Sequence, residues 1–84
     1  MSYSLSILRR AQKELAQISR GDYERVVEAI RELVNNPRPN GCRKLAGREG
    51  WRIRVGDFRV IYEVDDGQRS VTVLHVGNRR DVYR

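Results

Sequence analysis

The chain has 84 residues, with 17 lysines and arginines against 11 aspartates and glutamates, for a net charge of +6. That length makes one small domain, residues 1–84, which buries about 60–65% of its unfolded surface around a thin core. A single cysteine, Cys42, excludes an internal disulfide and suits a reducing cytoplasm; no apolar run approaches the ~20 residues of a membrane helix, and Met1–Ile7 lacks the apolar core of a secretion signal.

The charge is uneven. Residues 1–34 carry six basic and five acidic side chains, and residues 35–84 carry eleven and six. Of those eleven only Lys44 is a lysine. Arginine's planar guanidinium suits phosphates and bases, so this half reads as a surface for nucleic acid or an acidic protein.

In chain order, Tyr3, Leu5 and Ile7 alternate with serines and predict a first strand over residues 2–7. Leu8, Ala11, Leu15 and Ile18 follow at helical spacing, which predicts a helix from about Arg9 to Ser19 that Gly21 breaks. Asp22 is the expected N-cap of a second helix, with Tyr23, Val26, Val27, Ile30, Leu33 and Val34 as its apolar stripe. Asn35-Asn36-Pro37 stops it. Residues 35–50 then hold both prolines and three glycines in a loop that is long for so small a domain, with Leu45 expected to anchor it to the core.

Next comes Trp51–Tyr62, read as two strands around Gly56-Asp57, the strongest local signal in the chain. Trp51, Ile53 and Val55 alternate with Arg52 and Arg54; Phe58, Val60, Tyr62 and Val64 alternate with Arg59, Ile61 and Glu63. Gly56 supplies the positive φ that a two-residue hairpin turn requires. If the aromatic and aliphatic set faces inward, Arg52, Arg54 and Arg59 emerge together on the other face, where neighbouring strands bring side chains within ~5 Å. Like charges that close repel, and a polyanion would explain their placement better than a structural role. Asp65-Asp66-Gly67-Gln68 is a second hairpin connection, and Val71–Val76 a last strand. His75, the single histidine, falls on the same strand face as Val71 and Val73 by simple alternation and reads as structural. Glu63 reads as an ion-pair partner for the arginines. No Cys/His cluster, glycine-rich phosphate loop or paired carboxylate points to a metal or nucleotide cofactor, so none is expected. The predicted class is α+β, in the order β-α-α-β-β-β, an antiparallel sheet with a helical hairpin packed on one face.

The basic-aromatic strand, the Gly-Asp-Phe-Arg-Val-Ile-Tyr turn and strand, and the ending Val76-Gly77-Asn78-Arg79-Arg80-Asp81-Val82-Tyr83 together resemble the RelE/ParE superfamily of bacterial and archaeal toxins, most closely its RelE branch. Arg43-Lys44-Leu45-Ala46-Gly47 resembles the Lys-Leu-x-Gly lead-in to that family's hairpin. The resemblance implies a ribosome-dependent endonuclease that cuts messenger RNA in the decoding site, with the RNA's own 2′-hydroxyl as nucleophile and no metal. It implies an acidic, partly disordered, RelB-like antitoxin as partner and no membrane. Position by position, Arg52 and Arg54 match the two basic residues of the family's second strand, Arg59 its phosphate-binding arginine, Arg79 the basic residue after the Gly-x step, and Tyr83 the aromatic that stacks on a nucleotide. Arg43, Lys44, Arg48 and Arg80 are the further RNA-binding candidates, and Arg80 also competes with Arg79 for its role.

Two departures matter. The family commonly has lysines where this chain has Arg52 and Arg54, and often histidine where it has Asn78. A lysine's pKa falls beside other cations until it acts as a base, whereas arginine stays protonated above ~12. The arginines account for phosphate binding and leave the base unassigned. Two other readings share the fold: a ParE-like inhibitor of DNA gyrase, and a basic binding module without catalysis.

Overall fold

The computed structural model describes residues 2–78. Its elements are β1 (Ser4–Ile7), α1 (Arg9–Ala16), α2 (Arg20–Glu32), β2 (Arg43–Lys44), β3 (Trp51–Val55), β4 (Phe58–Asp65) and β5 (Ser70–Asn78). The five strands form one sheet in the order β1-β5-β4-β3-β2, which makes the fold α+β as the sequence predicts. β3, β4 and β5 are the expected antiparallel meander. The sheet as a whole is mixed, because β1 pairs in parallel with β5, Ser4 opposite Ser70 and Ile7 opposite Val73. The long loop also contributes a strand that the sequence did not announce: Arg43 and Lys44 pair antiparallel with Arg52 and Trp51.

Apolar spacing sets the packing. Ala11 and Leu15 of α1, and Val26, Ile30 and Leu33 in and just after α2, are buried one and two turns apart, as one helix face requires. They close over Ile53, Val60, Tyr62, Val71, Val73 and Val76 of the sheet. α1 lies on β5, and α2 on β3 and β4. Leu8 and Tyr23, both expected inside, are 46% and 41% exposed. Leu8 is the N-cap of α1, and its backbone N–H is spent on the Val73 carbonyl (3.0 Å), so the helix departs directly from the strand. No helix among the described residues is long and apolar enough to cross a membrane.

α2 begins earlier than predicted. Its N-cap is Ser19, and Gly21 lies inside the first turn instead of breaking the chain between helices. Asp22 is the third helical residue and accepts a hydrogen bond from Ser19 Oγ (3.1 Å). Ser19 holds the cap position through its extended backbone and makes no side-chain cap bond to the helix, while the Asp22 carboxylate in the first turn complements the helix dipole.

β5 holds a second departure. Ile61 pairs with His75 but Tyr62 pairs with Val73, leaving Leu74 as an extra residue in a bulge. The bulge reverses the alternation, so His75 shares the face of Ile61 and Arg52 and not that of Val71 and Val73. Past the end of β1, Glu14 Oε1 accepts the Val76 N–H (2.9 Å) in place of a strand partner, and His75 Nδ1 lies 3.8 Å from the same oxygen.

The loop after α2 is tied down by its prolines' neighbours. The buried Tyr62 hydroxyl donates to the Pro37 carbonyl at 2.6 Å, and burial pushes its pKa up. Tyr62→Phe leaves that carbonyl without its donor and is expected to destabilise the protein by about 1–3 kcal/mol in urea melts. An unchanged midpoint would show that the bond holds nothing in place. Leu45 does not join the core. It rests on Gly50, where an added Cβ would meet its Cδ1 at 3.0 Å and the Tyr62 carbonyl oxygen at 3.2 Å with φ at +121°, so only glycine fits there.

Candidate nucleic-acid interface

The β3–β4 hairpin builds the site. Val55 pairs with Phe58 across Gly56-Asp57, and Gly56 has φ +60°, the only positive φ in the turn. A positive φ at the first central position alone is the type II′ pattern, whose twist matches the strands. The register then places Arg54 directly opposite Arg59, and Arg52 opposite Ile61. β2 adds Arg43 opposite Arg52. Four guanidinium groups therefore stand on three adjacent strands and one sheet face. Arg54 and Arg43 are exposed, and Arg52 and Arg59 half-buried. Ile61, 4% exposed, is an apolar floor between Arg52 and His75 on that face.

The arginines open on a cleft of about 490 Å³. Arg43, Arg52, Arg54 and Arg59 line one side; Ala29 and Glu32 of α2 and the Pro39–Gly41 loop line the other. The cleft exists because β2 is two residues long and leaves the edge of β3 from Ile53 to Val55 uncovered. An apolar strip beside a row of guanidiniums accepts a base against one surface and its phosphate against the other.

The sequence candidates separate in space. Arg43, Arg52, Arg54 and Arg59 meet in the cleft. Lys44 pairs with Trp51 and so stands on the opposite sheet face, and Arg48 lies exposed in the β2–β3 loop away from the cleft lining. Arg79, Arg80 and Tyr83 lie outside the described residues. Glu63 shares the arginine face but pairs in register with Thr72, two positions beyond Ile61, and makes no ion pair with an arginine among the described residues; the expected relief of repulsion does not come from it.

Three features were missed. Arg25 Nη2 reaches to 2.6 Å from the position a Cβ on Gly56 would take, bringing a further cation from α2 to the hairpin turn. Arg25, Ala29 and Glu32 are four and three residues apart, so the helical period carried this signal. The loop contributes Arg38, whose guanidinium lies 5.1 Å from the Trp51 ring centroid and binds both carboxylate oxygens of Asp66 at 3.2 and 2.8 Å. Tyr3 Oη donates to the same carboxylate at 2.7 Å. Arg38 and then Tyr3 hold the Asp66 carboxyl below its ordinary range. A carboxylate depressed by folding contributes stability that is complete above its unfolded pKa and lost as pH falls through the depressed value. Emission from Trp51, the single tryptophan, is therefore expected to change on acidification below the ordinary carboxylate range, and Asp66→Asn is expected to show the acid-form emission already at neutral pH. An identical acid transition in Asp66→Asn would assign it to another group.

Comparison with known proteins gives the family to which this basic hairpin face, on an α+β sheet under a helical pair, belongs. Residues 5–83 match the family described as the ParE toxin of the type II toxin–antitoxin system parDE. The toxin RelE of Mycobacterium tuberculosis is 32% identical over 84 residues, covering 98% of this chain and 87% of that protein. Among solved structures, the RelE–RelB complex of Pyrococcus horikoshii superposes with a TM-score of 0.85 at 28% identity, covering 98% of this chain and all of that one. The intact RelBE complex of E. coli superposes with a TM-score of 0.80 at 28% identity, covering 92% and 96%. The chain belongs to the RelE/ParE superfamily of type II toxin–antitoxin toxins, in its RelE-like branch.

Proposed function

We propose that this toxin is a ribosome-dependent messenger-RNA endoribonuclease that acts in the cytoplasm and cleaves by attack of the RNA's own 2′-hydroxyl without a metal. The observation that carries the reading is the register pairing of Arg54 with Arg59 beside Arg52 and Arg43 around an open cleft. In-line attack builds negative charge on the phosphorane oxygens, and guanidiniums fixed on a sheet stabilise that charge without reorganising. Arg59 takes the scissile phosphate, and Arg52 and Arg54 the developing charge and the flanking backbone. Gly77 is the register partner of Arg59 and Asn78 that of Phe58, and Arg79 follows Asn78 in the chain. Arg79 supplies the proton to the leaving 5′-oxygen, and Tyr83 stacks on the neighbouring base. The 2′-hydroxyl's base is a group other than these protonated arginines.

Purified toxin, ribosomes and messenger RNA test this by primer extension: cuts within the codon in the decoding site, with a 2′,3′-cyclic phosphate and a 5′-hydroxyl, are expected, and intact message would end the proposal. Because the matching family is described by the ParE toxin, arrest of replication through gyrase is the second reading. Following translation and replication separately after induction decides between them, the first stopping at once if RNA is the target.

The partner follows the same logic. The two solved complexes pair RelE with RelB, and the +6 charge here calls for an acidic segment. An acidic antitoxin that orders on binding would cover the arginine face and silence it.

A further inference from the structure

The loop wall of the cleft is held from a distance. Residues 39–42 hang between Arg38 and the first residue of β2, and the backbone bond they make is within their own turn, Cys42 N–H to the Pro39 carbonyl at 3.0 Å. The chain enters them through Arg38 from Pro37, whose carbonyl the Tyr62 hydroxyl holds. The Arg38 side chain reaches Asp66 in the β4–β5 turn, 28 residues on, through two hydrogen bonds, while its guanidinium lies over Trp51 at the start of β3. Tyr3, just before β1, takes the same Asp66 carboxylate. Four separate parts of the chain thus meet on one ion pair at the end of the sheet. Both partners are partly exposed, and such pairs add little to stability. The two-pronged arginine–carboxylate geometry instead fixes direction, and the ring under the guanidinium removes a further freedom.

We propose that Arg38 and Asp66 form a latch that positions the Pro39–Gly41 wall, and through it the width of the arginine cleft. They are positioning residues for the cleft and do not touch the RNA. The second half of the inference rests on the reading of the cleft as an RNA site. The first half does not, because the residue next to the wall is its reporter: Cys42, the single cysteine, follows Gly41 directly and is half-buried against the core.

The variants are Asp66→Asn, which opens the latch and leaves Arg38 charged, and the exchange Arg38→Asp with Asp66→Arg, which restores the pair in reverse. The full-length protein is used throughout, with thermal melting to confirm the fold. The first readout is the labelling rate of Cys42 by a neutral maleimide. It is expected to rise about threefold to fivefold in Asp66→Asn, the scale of one partly exposed ion pair, and to return towards the parent rate in the exchange. The second is affinity for a single-stranded RNA oligonucleotide, with its salt dependence. The latch predicts weaker binding by Asp66→Asn at an unchanged salt slope. A direct phosphate contact by Arg38 predicts the reverse, tighter binding with a steeper slope, because the carboxylate that competes for the guanidinium has gone. Unchanged labelling, or tighter RNA binding, overturns the proposal. If the parent binds no RNA, the reading of the cleft falls, and the latch still stands or falls on the labelling rates.

Discussion

Replacing Arg59 with alanine is expected to abolish growth arrest while leaving the fold intact. Arg59 faces away from the core, between the buried Val60 and the half-buried Phe58, and its register partners are Arg54 on one side and Gly77 on the other. Removal has opposed effects on stability. The aliphatic stem of a half-buried arginine packs against its neighbours, and that contact is lost. The repulsion from Arg54 across the strands is also relieved. The protein should therefore stay folded, with a cooperative melt. Catalysis has no such compensation. Deleting one preorganised partner of a developing anion lowers rates by about 10²–10³. Single-turnover cleavage of ribosome-bound message should fall by that factor, and circular dichroism should match the parent. Growth arrest that persists in a natively folded Arg59→Ala protein would remove this residue from the mechanism.

The second large effect is expected at Arg54, and its sign depends on the replacement. Arg54 is the exposed member of the cross-strand pair, with Arg59 opposite and Arg52 two residues back on the same face. Arg54→Ala should weaken RNA binding, lower its salt slope by about one phosphate contact, and cleave slowly at every pH. Arg54→Lys keeps the charge, so affinity should stay within a few-fold. A lysine surrounded by arginines loses its proton at lower pH than usual, so it becomes a base where arginine cannot. Cleavage by Arg54→Lys should be at least as fast as by the parent, with the pH–rate profile shifted. If it is instead as inactive as Arg54→Ala while folding and binding RNA normally, the planar guanidinium geometry is what the reaction needs.

The parts of this site that were legible in the sequence share one property: they are local. The hairpin's alternation and its Gly-Asp turn determine the face of Arg52, Arg54 and Arg59 within a dozen residues, and the register places them there. Where the chain exchanges equivalent local solutions, the reading slipped by a few residues, as when Ser19 took the cap expected at Asp22. Features made by distant segments were invisible. β2 has only two residues, below any periodic signal, and it exists because β3 offers an edge. The far wall of the cleft comes from α2 and the Pro39–Gly41 loop, and the Arg38–Asp66 pair spans 28 residues. The bulge did leave a trace: Val71, Val73 and Val76 are two and then three apart, and only a strand with an extra residue buries all three on one face.

That extra residue is one the ladder skips, and its removal would heal the strand. With Leu74 deleted, His75 follows Val73 directly, so Ile61–His75 and Tyr62–Val73 stay paired and plain alternation keeps Val71, Val73 and Val76 on one face. With Leu74 kept and the bulge closed, the register of Arg59–Gly77 and Ile61–His75 would instead run on to pair Glu63 with Val73 and Val64 with Thr72, turning two core valines outward. The bulge is what a strand of this length needs to bury both of its halves, and Leu74→Val or Leu74→Thr keeps it. A single-residue gap at this point between two members of the superfamily is thus a bulge present in one and absent in the other, with the faces on either side of it still in correspondence.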